Sequence, residues 1–89
     1  MEDFNLMVKV VKQWIEKADS QFITEFINTP REKLVKYYPG LGRDIRNEFK
    51  LWERHWTPQI IEGIDYSPDH PSQISMRVIE AVWDQLQND

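Results

Sequence analysis

With 89 residues, 40% of them hydrophobic, 29% charged and none cysteine, the chain has room for one domain with a modest core. It has no access to thiolate catalysis, disulfides or cysteine-ligated zinc. The net charge of -4 works against a general nucleic-acid binder, whose footprint is a basic excess. Apolar runs stop at three residues, too short to span a bilayer, and the N-terminus lacks the basic-then-apolar order of a signal peptide, so the expected location is cytoplasmic.

Helical periodicity dominates from the start. Phe4, Met7, Val8, Val11, Trp14, Ile15 and Ala18 recur at three- and four-residue spacing within about a third of a helix circumference, predicting a core-facing helix over 3–18. Leu6 and Val10, four apart, lie off that stripe and read as a contact with a second neighbour. Asp19 or Ser20 can cap a short second helix carrying Phe22, Ile23, Phe26 and Ile27. Thr29-Pro30-Arg31-Glu32 has the composition of a capping box, with Thr at N-cap, Pro at N1 and Glu at N3. A third helix is therefore expected from residue 30, carrying Leu34, Val35, Tyr37 and Tyr38 and ending before Pro39-Gly40.

Gly40 and Gly42 flank Leu41 and predict a turn leading straight into a helix from Leu41 to about Arg54. One glycine relieves the backbone and the other, Gly42, lets a neighbouring element approach. At about 100° per residue, Leu41, Ile45, Phe49 and Trp52 gather on the core side, and Gly42, Arg46 and Glu53 border it. Arg46 is expected to be partly buried and structural, its stem on apolar neighbours and its guanidinium bridging to another element. Arg43, Asn47, Lys50 and Arg54, at i, i+4, i+7 and i+11, fall on the outer side and form a candidate partner-binding strip. The same residues also fit a solvated face paired with Asp44, Glu48 and Glu53.

Thr57-Pro58 repeats the cap-plus-proline start and predicts a short helical turn through Ile61 that Gly63 closes. Residues 64–72, IDYSPDHPS, read as a loop. A last helix over 72–86 presents Ile74, Val78, Ala81, Val82 and Leu86 on one side, with Ile79 and Trp83 beside them. The expected fold is all-α, a compact single-domain bundle of about five helices over residues 1–89 with short connections.

The materials for catalysis are thin. His55 and His70 have no ligand at metal-binding spacing, no Gly-x-Ser-x-Gly elbow occurs, and GLG lacks the further glycines and the Lys-Ser/Thr pair of a phosphate loop. A hydrolase or transferase could draw only on Asp69, His70 and Glu80. No enzyme activity, cofactor or metal is expected. Of the four tryptophans, Trp14, Trp52 and Trp83 read as core. Trp56, beside Glu53-Arg54-His55 at a helix end, reads as partly exposed and available to a partner. Between residues 31 and 54, seven Lys and Arg face four carboxylates, a local +3 that leaves -7 on the rest of the chain. Such a dipole suits an oriented encounter with an acidic protein; nucleic-acid backbone, held by Arg43, Lys50 and Arg54, is the alternative.

Gly40-Leu41-Gly42, Ile45-Arg46-Asn47 and Leu51-Trp52, followed by Asp69-His70-Pro71, Ser75, Ile79 and Leu86, resemble a family of small uncharacterised helical domains of bacteria and phages. Its pattern is Gly-Leu-Gly-x-x-Ile-Arg-Asn with a following Leu-Trp pair. The resemblance covers about residues 20–88 and leaves out the first helix. Ser72-Gln73 stands where the family has an acidic pair, a departure that bears on any acid-dependent role at that turn. The resemblance implies a helical domain with no established activity, and by association with phages an inhibitor or regulator of a host protein. Taken together, the expectation is a non-enzymatic protein-protein interaction module.

Overall fold

The computed structural model describes residues 2–88, Glu2 through its backbone alone. Amphipathic periodicity produces four α-helices among the described residues: α1 (Glu2–Glu16), α2 (Ser20–Asn28), α3 (Arg43–Glu48) and α4 (Pro71–Asn88). The all-α, single-core architecture is as expected, although the α-helix count is four instead of about five. Asp19 caps α2, its Oδ1 accepting the Gln21 N–H at 2.8 Å, so an amide that the helix leaves unpaired is satisfied.

Helix α4 is the element on which the others converge: α1, α2, α3 and the irregular segment between α2 and α3 all pack against it. Met7, Val8, Val11 and Ile15 from α1 meet Ile74, Val78, Ile79 and Val82 from α4, and Phe26, Leu34, Ile45 and Leu51 complete a buried core. Each fully buried side chain of this size contributes about 1.5–3 kcal/mol. Gln87 donates to the Ile27 carbonyl at 2.7 Å, and Arg31 reaches Asp84 at 3.4 Å, fastening the outer half of α4 to its neighbours. Trp14 and Trp83 are half-buried against the core; Trp14 stacks on Phe49 with ring centroids 6.3 Å apart, while the Trp83 indole N–H is buried without an acceptor. Leu6 is exposed.

The expected capping box does not form. The Thr29 hydroxyl turns backwards to the Glu25 carbonyl at 2.7 Å and lies 3.3 Å from the Tyr37 hydroxyl, while Pro30, in an extended conformation, leads on without a side-chain cap. Beyond it the chain forms a 3-10 helix, Arg31–Tyr37, continuous with a wide π turn, Tyr38–Gly42, that feeds α3. Pro39 keeps the pitch tight. It has no N–H to close an α turn onto Val35, whose carbonyl takes the Tyr38 N–H. The 3-10 pitch, already present where the Lys33 N–H takes the Pro30 carbonyl at 2.9 Å, therefore cannot relax to α before the wide turn. The expected break at Pro39-Gly40 is thus a continuous helical path. Gly40 is exposed, a Cβ there would meet nothing within 4 Å, and its φ is not positive, so neither space nor backbone conformation demands glycine there.

Arg46 occupies the place expected of it and does more than bridge. It is only 7% exposed; its Nη1 donates to Ser75 Oγ on α4 at 3.1 Å, and its Nη2 to the Tyr38 carbonyl at 3.4 Å. The guanidinium also lies 4.3 Å from the centroid of the Tyr38 ring, a cation–π stack. Gly42 makes this possible: its Cα faces the guanidinium, and a Cβ would stand 2.9 Å from Nη1. The close approach served by Gly42 is therefore that of Arg46 itself.

Replacing Arg46 by Ala should lower the unfolding free energy by about 2–3 kcal/mol, the scale of hydrogen bonds from a charged group plus lost stem packing. Gly42→Ala should destabilise the wild type by displacing the guanidinium. In the Arg46→Ala background it should instead stabilise by up to about 1 kcal/mol, because the Gly42 backbone is helical and Ala is then preferred. Urea unfolding of the four proteins checks this, and additive effects would contradict the geometry.

Candidate interaction surface

Helix α3 stops after six residues, and its stopping point determines what reaches the surface. Phe49 and Lys50 donate to the Ile45 and Asn47 carbonyls, and Lys50 then adopts a left-handed conformation with φ of 51°, which a helix cannot propagate. A short 3-10 turn, Leu51–Glu53, comes next. The reversal puts Leu51 into the core with no exposed surface and turns Trp52 out, 52% exposed. This corrects the expectation of Trp52 as a core residue. A helix continued through Lys50 would have pointed the two side chains the other way.

Beyond Thr57-Pro58 the expected helical turn is absent. Ile60–Ile61 (β1) pairs with Ile64–Asp65 (β2) in an antiparallel hairpin, Ile60 opposite Asp65 and Ile61 opposite Ile64. Glu62 and Gly63 form its two-residue turn with φ of 51° and 81°, the positive-φ geometry whose twist matches paired strands. Alternation along the strands places Ile61, Ile64 and Tyr66 on one face, with Ile60 and Asp65 on the other. All four of the hairpin's apolar side chains, Ile60, Ile61, Ile64 and Tyr66, are between 51% and 60% exposed. With Trp52 they make five of the seven large apolar side chains that are exposed among the described residues, gathered within fifteen positions of sequence. The hairpin also presents free strand edges, since the sheet has only these two strands among the described residues.

Asp65 holds the base of this hairpin. One carboxylate oxygen accepts the Ser67 N–H at 2.8 Å and the Gln59 N–H at 3.1 Å, and the other accepts the Trp56 indole N–H at 2.9 Å. These bonds favour the ionised form, so the Asp65 carboxyl lies below the usual carboxylate range, chiefly through Ser67 and then Trp56. Trp56, half-buried, meets Trp52 edge-on at 6.3 Å, and the His70 ring stands 5.4 Å from both tryptophans. Rings at these separations touch each other, so the trio is a packed support with Trp52 as its outer face and holds no cavity for a cation between them. His70 also starts α4: its Nδ1 accepts the Ser72 N–H at 3.1 Å, with Pro71 at the first helical position.

The basic strip does not survive as a line. Arg43 and Asn47 are exposed on α3, but Asn47 shares a shallow depression with Trp14, Asp44 and Glu48, an acidic setting. Lys50 sits in the left-handed turn, and Arg54, past the 3-10 turn, is bound to Asp3 at 2.6 Å. The break at Lys50 removes the helical phase that aligned the four. Nor do Asp69, His70 and Glu80 share a site: Glu80 lies 3.9 Å from Arg31, while the His70 Nδ1 is taken up at the start of α4. No group of three or more metal-ligating side chains occurs among the described residues. None of their helices is long and apolar enough to cross a membrane.

Sequence reasoning singled out Trp56 but missed Asp65 and the four apolar hairpin residues. The signal was weak: Glu62-Gly63 between Ile-Ile and Ile has the glycine of a two-residue hairpin turn but lacks the Asn, Asp or Gly that marks its first position.

The depressed Asp65 pKa has a defined consequence for stability. A carboxylate with its folded pKa below its unfolded value of about 3.9 stabilises fully above that value and loses its contribution as pH falls through the folded one. Asp65→Asn should therefore lower the urea midpoint at neutral pH, with the gap to wild type closing as the pH is taken below the ordinary carboxylate range. A gap independent of pH would contradict an ionic role. No known protein family, curated protein or solved structure matches the chain.

Proposed function

We propose that this protein is a non-enzymatic protein-binding module whose contact surface is the apolar face of the hairpin formed by Ile61, Ile64 and Tyr66. The observation that carries this reading is that Ile61, Ile64 and Tyr66 share one face of the hairpin and are all more than half exposed, with exposed Ile60 and Trp52 on its other side, in a chain whose other apolar residues are mostly buried. Contiguous exposed apolar surface with aromatic members is the anatomy of interface cores, where Trp and Tyr dominate binding energy.

The charge around the patch selects the partner. From residue 52 to 72 the carboxylates are Glu53, Glu62, Asp65 and Asp69, against Arg54 alone, a net -3. Arg54 is already engaged by Asp3. The complementary surface is an apolar groove on another protein rimmed by Lys or Arg, opposite in sign to the partner that the basic strip would choose. The proposed setting is the cytoplasm, and inhibition or regulation of a host protein, as the resemblance to bacterial and phage domains implies, is compatible with a module of this size.

The test is affinity capture from source-cell extract with three proteins: wild type, an Ile61→Ser/Ile64→Ser/Tyr66→Ser variant, and an Arg43→Glu/Lys50→Glu variant. The changes fall on exposed side chains, so all three should fold alike by circular dichroism. We expect a basic protein retained by the wild type and the charge-reversed variant, lost with the hairpin variant by at least about tenfold in affinity, or about 1.4 kcal/mol. Retention that depends on Arg43 and Lys50 and not on the hairpin overturns the reading. So does self-association that the hairpin changes abolish, which assigns the patch to a second copy of the chain.

A further inference from the structure

A cavity of about 320 Å³ opens where the first turns of α1 meet the start of α4. Its apolar floor is Phe4, Met7 and Ile74. This volume is at the small end of the range for ligand sites, about 300–1,000 Å³; their usual lining is mostly apolar, whereas here four of the seven lining residues are charged.

The charges around the floor fall into two kinds. Asp3 and Arg54 form one wall and neutralise each other at 2.6 Å. Asp69 and Arg77 also line the cavity, but they are not paired with each other. The Asp69 carboxylate has no partner among the described residues; only its backbone N–H is engaged, by Ser67 Oγ at 3.3 Å. Arg77 gives one N–H to the Pro68 carbonyl, which holds its head near the rim, and no carboxylate of the described residues binds it. A guanidinium has five donors, so most of its bonding capacity remains.

We infer that this cavity binds a free aliphatic or thioether α-amino acid as its zwitterion. The carboxylate is held by Arg77, the ammonium by Asp69, and the side chain rests on Phe4, Met7 and Ile74. The four lining charges cancel, so a ligand of net charge is not favoured. An anion alone would leave Asp69 unanswered, and a cation alone would leave Arg77 so. A zwitterion with an apolar side chain meets both charges and covers the floor. Since both charged heads are exposed, each pair is screened and the affinity is weak, with Kd on the order of millimolar.

The experiment is a backbone-amide NMR titration of the full chain with L-leucine and L-methionine. Three comparison probes each lack one element: 4-methylpentanoate the ammonium, 3-methylbutylamine the carboxylate, and glycine the side chain. Leucine and methionine should give saturable shifts confined to Asp3–Met7, Arg54 and its neighbours, and Asp69–Arg77, with each comparison probe weaker by about tenfold or more. Arg77→Gln and Asp69→Asn, both at positions outside the core, should each weaken leucine by a similar factor, and Arg77→Gln should leave 3-methylbutylamine unaffected. Absence of shifts up to the solubility limit of leucine overturns the proposal. Equal binding of leucine, the acid and the amine also overturns it, reducing the cavity to an unselective apolar surface.

Discussion

The buried guanidinium of Arg46 is the constraint around which the middle of the chain is arranged. A charge taken out of water demands compensation, and no carboxylate of the described residues supplies it. Compensation comes from neutral groups: a hydroxyl on α4, a carbonyl of the π turn and the face of the Tyr38 ring. Each requires a particular backbone. The π turn carries the Tyr38 carbonyl and ring to the guanidinium, Gly42 clears the space, and Ser75 has to stand at one position on α4. Ser75 is itself tied to the Ser72 carbonyl at 3.0 Å, and the Tyr38 hydroxyl lies 2.7 Å from Ser72 Oγ. The result is a polar network joining three segments, with an energy that depends on all members being present.

The same network orients the segments on either side of it. With α3 pinned to α4 through Arg46, the left-handed turn at Lys50 sends Leu51 inwards and Trp52 outwards. The hairpin is then held by Asp65 and by the Trp52–Trp56–His70 packing. The exposed apolar face is thus mounted on a packed and hydrogen-bonded base, and in the proposed contact that base limits the conformational entropy to be lost.

Legibility from sequence followed the length of the pattern. Helices α1 and α4, with four or more turns of consistent spacing, were readable to within two residues at each end, and Arg46 was readable from its phase at the edge of the α3 stripe. Three features were not. Thr29-Pro30-Arg31-Glu32 carries the right residues for a capping box, yet the Thr29 hydroxyl has a better acceptor behind it at Glu25. Lys50 carries no signal for a left-handed turn, because the burial of Leu51 that accompanies it is a tertiary gain invisible to local spacing. Every assignment that extended the α3 phase past this residue, from the core position of Trp52 to the alignment of Arg54, failed with it. The hairpin is two residues per strand, too short for alternation to show, and only its turn could have revealed it.

The order of elements along the chain has a consequence for synthesis. Helix α4 is the common neighbour of α1, α2 and α3, and it is the last of the four to be made. While the ribosome adds the segment after α3, the apolar stripe of α1 has already emerged and its principal cover does not yet exist. The contacts that α4 makes with α1, α2 and α3 therefore form only after those three helices have been made, and those to α1 span most of the chain. Until then Met7, Val11 and Ile15 are held in an open chain, in reach of chaperones and of each other.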